Sequence, residues 1–386
     1  MTRADYEGGG IVNLMSSIVD GIGGKATGYP PSRLLSPERV AAARRVVLLV
    51  VDGLGFKYLG SAPMGEGLRS GLVGSMSSVF PPTTATAITT YLTGVAPRQH
   101  GLVGWYTYFR EIGTVVTVLP YTVRHGDCPL ERSGVGAAAL YRLTSIFDRL
   151  PVASAAVLPA ALADSEVSRA LSGRALRVPF RSLAGLVRGV ADLVRGAGRR
   201  RFIYAYWPGL DRLAHRHGIG SAEVAAHLGE VAAAVARLRR ALAGSGTLLV
   251  VSADHGFVDV PPEGQLRLAP GGALAASLVL PLCGEPRTVY CYVAPRAAAA
   301  FEAIVHAEIG AAAEVLASGV LIEQGWLGPG PTHPRLAERV GDWTILMREG
   351  YTLGDRLPGE RTYPMVGFHG GATAAEMQVP LLLWEA

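Results

Sequence analysis

The chain has 386 residues, of which 49% are apolar and 17% charged, with a formal net charge of +5. This composition excludes a disordered chain, and the length is enough to bury a large core and long for one plain domain. The mild positive balance gives no nucleic-acid signature, so no nucleic-acid polymer is expected as a partner.

One large domain with an insertion, or two domains, is therefore expected. The densest basic run, Arg199-Arg200-Arg201, directly precedes an apolar strand and reads as its solvated entrance. Cys128, Cys283 and Cys291 are sparse and lack metal-ligand spacing. They read as thiols in a reducing compartment. The N-terminus shows no basic segment followed by an apolar one, and no uninterrupted run reaches about 20 apolar residues. The expectation is a soluble cytoplasmic protein with no membrane partner.

In chain order, Asn13 to Ile22 reads as a short helix, and Ser32 to Arg45 as a loop and a second one. Val46 to Val51 is apolar on both faces, as in a central strand covered on both sides, and it ends in Asp52-Gly53. Open α/β sheets place ligands at the carboxyl edge of such strands. Asp52-Gly53 also fits a simple turn. Next comes Phe80-Pro81-Pro82-Thr83-Thr84, running into Ala85-Thr86-Ala87-Ile88 as the first turn of a helix. A hydroxyl there lies among N–H groups without intrahelical partners, where anions are favoured. The same residues fit an ordinary helix cap.

Thr114 to Leu119 reads as a strand. Ser145 to Leu150 and Val152 to Leu158 read as a helix and a strand. Ala175 to Arg195 carries mixed helical patterning. Phe202 to Tyr206 is a strand that runs into Trp207 and a segment with Asp211 and His215. Four residues apart, these two share a face if the segment is helical and can grip one cation. Asp211 could equally pair with a nearby Arg. Ser221 to Gly244 is the clearest helix, with Val224, Leu228, Val231, Val235, Leu238 and Leu242 on one stripe. Thr247 to Ser252 is a second buried strand and ends in Ala253-Asp254-His255-Gly256. Prolines and glycines then break the rhythm. Thr288 to Val293 reads as a strand, Ala297 to Val315 as a helix and Trp343 to Met347 as a strand. We read residues 257–353 as a small inserted α+β lobe near the active site. Residues 1–256 and 354–386 form the main α/β core, which resumes with Gly367-Phe368-His369-Gly370-Gly371.

Strand edges and the loops after them thus supply Asp52, Thr84, Asp211, His215, Asp254 and His255, and the late glycine-rich loop supplies His369. Three Asp and three His suit two borderline divalent cations such as zinc. Such a pair can clamp a phosphoryl oxygen and lower the pKa of a bound hydroxyl. A threonine hydroxyl is a weak nucleophile and needs activation of this kind.

In this order, Val51-Asp52-Gly53, Phe80 to Thr84, Leu92-Thr93-Gly94 with Pro97 and His100-Gly101, Asp211 with His215, Ala253 to Gly256 and Gly367 to Gly371 resemble a known family. It is the nucleotide pyrophosphatase/phosphodiesterase branch of the alkaline phosphatase superfamily. The resemblance runs from about Val46 to the C-terminus. It implies an alkaline-phosphatase-like, mostly parallel central sheet sandwiched by helices. It implies a two-zinc centre with Asp211, His215 and His369 on one ion. Asp52, Asp254, His255 and the Thr84 oxygen hold the other. It implies that Thr84 forms a covalent phospho-enzyme, which water then hydrolyses. Two departures stand out. Ala85 to Ile88 replaces the family's Phe-Pro-Asn-His, and Trp105 stands where an Asn usually contacts the phosphate.

Trp105, Tyr206 and Trp207, with Tyr106 and Tyr108, are candidates for an aromatic wall against a nucleobase or another planar group. The expected reaction is hydrolysis of a phosphodiester or pyrophosphate in a small, nucleotide-like substrate. Phosphomonoester or phosphonate hydrolysis by the same metals is the alternative. A sulfatase lacks its Cys or Ser nucleophile context here, nothing in the sequence asks for a mutase, and a metal-stabilised binding protein would not need all seven reactive side chains.

Overall fold

Val46 to Val51 has no polar side chain, and it lies at the middle of a seven-stranded sheet in the computed structural model. Residues 1–196, 201–360 and 363–386 are described; Arg199 and Arg200 of the basic run lie outside the described residues. The spatial order is Leu72–Ser77, Gln378–Glu385, Thr247–Ser252, Arg45–Val51, Arg201–Trp207, Ala153–Pro159 and Leu176–Phe180. The last five run parallel to one another. Gln378–Glu385 is antiparallel to both of its neighbours. Helices flank this largely parallel sheet, as the fold class read from sequence requires. The helix Ala222–Leu242 buries Val224, Leu228, Val231, Val235, Leu238 and Leu242, with Ser221 accepting from the Val224 amide at its start.

The register places the carboxyl ends level. Val51 lies opposite Trp207, and Val50 opposite Ser252. The segments that follow these strands therefore leave at one edge. The antiparallel strand starts at that same edge, so the His369 loop before it arrives there too.

Two sequence expectations change. Leu176–Phe180, read as helical, is the edge strand, and the helix starts only at Leu183 after the Ser182 cap. Val178 and Pro179 favour extended backbone there. The helix expected over Ala297 to Val315 ends at Ile309, because Gly310 takes φ +56°, and Ala313–Ala317 pairs with Trp343–Met347 instead.

A second seven-stranded sheet contains Cys283–Glu285, Thr288–Cys291, Ala313–Ala317 and Trp343–Met347. It also contains Tyr106–Phe109, Thr114–Thr117 and Thr122–Val123, joined through the pairing of Gly284 with Tyr106. This second sheet therefore draws on residues well before 257. Composition could not show this, because it depends on pairing between segments far apart in the chain. The flanks of the lobe are tied together: Val258–Asp259 pairs antiparallel with Gly367–Phe368.

A buried ion pair fastens this lobe to the core. Arg287 and Glu376 are both fully buried and bonded at two points, Nε to Oε1 at 2.6 Å and Nη2 to Oε2 at 3.0 Å. Glu376 also accepts from the Gly371 amide at 2.8 Å and closes a capping box with Thr373. Removing one partner leaves an uncompensated charge in the core. Arg287→Met should destabilise the protein by about 3–5 kcal/mol, read from chemical denaturation midpoints. A change of less than about 1 kcal/mol would contradict this role.

Candidate metal centre

Each element delivers its side chain by local geometry. Gly53 takes φ +77°, which turns the chain sharply after Asp52. Asp211 and His215 lie on the helix Gly209–His217, four residues apart on one face. A side chain at Gly256 would meet the Ala375 carbonyl oxygen at 2.0 Å, so only glycine lets the segment after His255 pass. Thr84 is the first residue of the helix Thr84–Thr93, with Thr83 as its cap residue.

The structure brings all seven side chains to one place. His215 Nε2 lies 3.3 Å from Asp211 Oδ1 and 3.2 Å from His369 Nε2. His255 Nε2 lies 3.3 Å from Asp52 Oδ1, 3.5 Å from Asp254 Oδ2 and 3.2 Å from Thr84 Oγ1. The Thr84 hydroxyl is also 3.5 Å from Asp52 Oδ1. Donor atoms of Asp52, Asp254 and His255 lie within 4.8 Å of one another, as do those of Asp211, His255 and His369. The second trio has His255 where the resemblance implies His215. His215 still faces both Asp211 and His369, and the shared His255 shows that the two groups adjoin.

The imidazoles are oriented in one sense. Nδ1 of His215 faces the Gly367 carbonyl at 2.9 Å, that of His255 the Gly256 carbonyl at 3.2 Å, and that of His369 the Pro82 carbonyl at 3.3 Å. A carbonyl oxygen only accepts, so each Nδ1 carries the proton and each Nε2 lone pair points inward. Phe257 packs against all three rings, at centroid distances of 4.9, 5.6 and 5.2 Å.

These donors fit divalent cations. Asp211 Oδ1 and Asp254 Oδ2 are buried without a hydrogen-bond partner. The Nε2 atoms of His215 and His369 face each other across 3.2 Å. Buried acceptors left in this way call for positive charge. The electrostatics agree. Burial, then the charges of Asp211 and Asp254, push Asp52 well above the usual carboxylate range. Burial also acts to raise Asp211, but His215 outweighs it and draws Asp211 down. Burial acts to lower His215, and Asp211 reverses the sign and raises it. Burial, with His255 and His215 alongside, holds His369 well below the usual imidazole range.

The aromatic candidates are placed differently. The Tyr206 hydroxyl donates to Asp52 Oδ2. Trp207 is stacked between Phe180 and His227, at 5.8 Å from each, and its Nε1 donates to His227. Tyr106 lies under the Arg124 guanidinium and Tyr108 against Tyr292. Trp207 and Tyr108 are thus engaged in packing, and Tyr106 lines a cavity together with Glu285. Trp105 contributes its backbone N–H, which donates to Glu285 Oε1 at 2.7 Å.

Glu285 is the residue that the sequence reading missed. It comes from the second sheet, is buried, and its Oε1 also accepts from the Thr83 hydroxyl at 2.6 Å. Thr83 makes no side-chain cap to its own helix. Burial pushes the Glu285 carboxyl up to about 7. Its one signal in the sequence is a lone acid between Cys283-Gly284 and Pro286.

Residues 46–372 match the type I phosphodiesterase / nucleotide pyrophosphatase family. The chain belongs to that family. It is a phosphoric ester hydrolase with the alkaline-phosphatase-like fold. No curated protein sequence matches it. Among solved structures, murine ectonucleotide pyrophosphatase/phosphodiesterase 5 is similar at 17% identity and a TM-score of 0.64, covering 87% of each chain. An inactive threonine-to-alanine variant of that murine protein, in complex with AMP, gives 17% identity and a TM-score of 0.64, over 88% of this chain and 87% of that one. Phosphonoacetate hydrolase from Sinorhizobium meliloti 1021, in complex with phosphonoacetate, gives 19% identity and a TM-score of 0.64, over 89% and 90%. Among the described residues no helix is long and apolar enough to cross a membrane.

Three outcomes follow from this geometry. Protons compete with cations at His215 and Asp52, both held above their ordinary values, so divalent-ion affinity should fall as pH drops from about 8 to about 5. Competition titrations across that range check this; a constant affinity contradicts it. His217 lies 3.7 Å from Glu223 and outside both donor trios. His217→Ala should therefore keep the bound metal, and its loss on elemental analysis would make His217 a ligand. Glu285→Ala leaves the Thr83 hydroxyl and the Trp105 amide without their acceptor, at about 1–3 kcal/mol for each group. It should lower kcat about tenfold or more with metal content unchanged, and normal kcat would remove Glu285 from the site.

Proposed function

We propose that this protein hydrolyses a phosphoric diester or pyrophosphate through a covalent phosphothreonine at Thr84. The observation that carries the reading is the contrast among three neighbouring hydroxyls. Thr83 is buried and donates to Glu285, and Thr86 is buried with no partner. Thr84 alone is half-exposed, and its oxygen faces both Asp52 and His255. Its place at a helix start also puts unpaired backbone N–H groups beside the phosphate, where the family's Asn is replaced by Trp105.

Asp211, His215 and His369 would hold one divalent ion, and Asp52, Asp254, His255 and Thr84 the other. Inward Nε2 donors mixed with carboxylates suit zinc. When bound, such ions lower the pKa of a hydroxyl and neutralise charge on phosphoryl oxygens. Thr84 Oγ1 then attacks phosphorus, the bond to the leaving oxygen breaks, and water releases the phosphoryl group from Thr84. Asp52 is kept in place by Tyr206, and Asp254 by the amides of Gly53 and His255, both at 3.0 Å.

The similar murine protein supports this reading on two counts, since it was solved with AMP and its threonine-to-alanine variant is inactive. That likeness is the sole argument for a nucleotide-like substrate. Tyr108 and Trp207 are engaged in packing, while Tyr106 lines a cavity together with Glu285.

Thr84→Ala should lower kcat by about a thousandfold or more with both metals retained, because the covalent route is lost. Thr83→Ala and Thr86→Ala should be milder. Near-normal turnover by metal-loaded Thr84→Ala, or a phosphoryl group trapped on another residue, would overturn the assignment.

A further inference from the structure

A cavity of about 70 Å³ opens beside Thr84. Ile88 and Leu92 line it, four and eight residues after Thr84 on one face of the same helix. Leu158 and Leu171 form the opposite wall, and Tyr206, whose hydroxyl donates to Asp52, joins it to the metal donors. Ser165, Ser168 and Ser172 also line it, and among the described residues no charged side chain does. It is a mainly apolar recess that has Thr84 in its lining.

Its position identifies which part of a substrate enters it. Attacking and leaving oxygens lie on opposite sides of phosphorus, roughly in line. A group seated on the Thr84 side is therefore not the leaving group. It is a substituent that stays on phosphorus while the leaving group departs. Its size narrows the choice, because about 70 Å³ is roughly half the ~150 Å³ apolar cavity that takes up benzene. A nucleobase is larger than benzene. A carboxylate would sit in this recess without a cationic partner.

Resting on Thr84 as the nucleophile, we propose that the cavity holds the retained ester group of a phosphoric diester, and that this group is a short, uncharged aliphatic chain of about three carbons. A phosphomonoester has nothing to place there. In the first step a bond forms between Thr84 Oγ1 and phosphorus and the bond to the leaving oxygen breaks. Thr84 loses its proton, and the leaving group departs as an alcohol or phenol after gaining one. In the second step water attacks the threonyl diester and the Thr84–phosphorus bond breaks. Thr84 regains a proton, and the product is the monoester that still carries the short chain.

The test uses the metal-loaded full chain and p-nitrophenyl diesters that differ only in the retained ester: methyl, propyl, hexyl, phenyl and a nucleoside. Simple p-nitrophenyl phosphate is the monoester control. From methyl to propyl, kcat/KM should rise about fourfold per methylene, the value for burying each one. It should fall for hexyl, phenyl and the nucleoside, and the monoester should be slower than the propyl diester. Calorimetry should show propylphosphonate binding more tightly than methylphosphonate or hexylphosphonate. Ile88→Phe should abolish the propyl-over-methyl preference, and Ile88→Ala should move the optimum to a longer chain. A flat profile, a fastest nucleoside ester or a faster monoester overturns the proposal while leaving Thr84 in place. No turnover of any ester by metal-loaded protein overturns the reading on which it rests.

Discussion

Six donor side chains sit at one buried edge of a sheet, with two of their carboxylate oxygens left without a hydrogen-bond partner. Asp52, Asp254, His255 and His369 are all nearly inaccessible to solvent. Two imidazole Nε2 atoms face each other. Such an arrangement is costly in a dry interior unless cations occupy it. Bound cations would relieve that cost, and the rest of the architecture can be read as serving this constraint.

The sheet brings the donors together because its central strands are parallel and level, so successive strands release their following loops at one edge. The exception is the antiparallel strand Gln378–Glu385, which begins where the others end and so carries the His369 loop to the same place. The second sheet braces this edge from outside. Glu285 holds the Thr83 hydroxyl and the Trp105 amide, and the Thr288 hydroxyl donates to the Gly370 carbonyl at 2.6 Å. Arg287 and Glu376 lock the turn around Gly371. The second sheet thus braces both the Thr84 turn and the loop that carries His369.

Much of this was legible in the sequence, for a physical reason. Runs such as Val46 to Val51 and Thr247 to Ser252 are apolar on both faces, and only a central parallel strand uses such a run. Asp and His residues at the ends of those runs had to meet at one edge. The spacing of Asp211 and His215 became a shared helix face once the segment coiled. What escaped the sequence was non-local. The strand Leu176–Phe180 is defined by its neighbour Ala153–Pro159, and the strands at 106–123 by a lobe formed more than 150 residues later. Glu285 reads as a lone acid until the fold places it against Thr83. Trp207 reads as a site residue until Phe180 and His227 are seen on either side of it.

The most direct test of this account is anomalous diffraction from crystals of metal-loaded protein. The account predicts two peaks, one among Asp211, His215 and His369 and one among Asp52, Asp254, His255 and the Thr84 oxygen. A single peak, or density on His217 instead of His215, would contradict it.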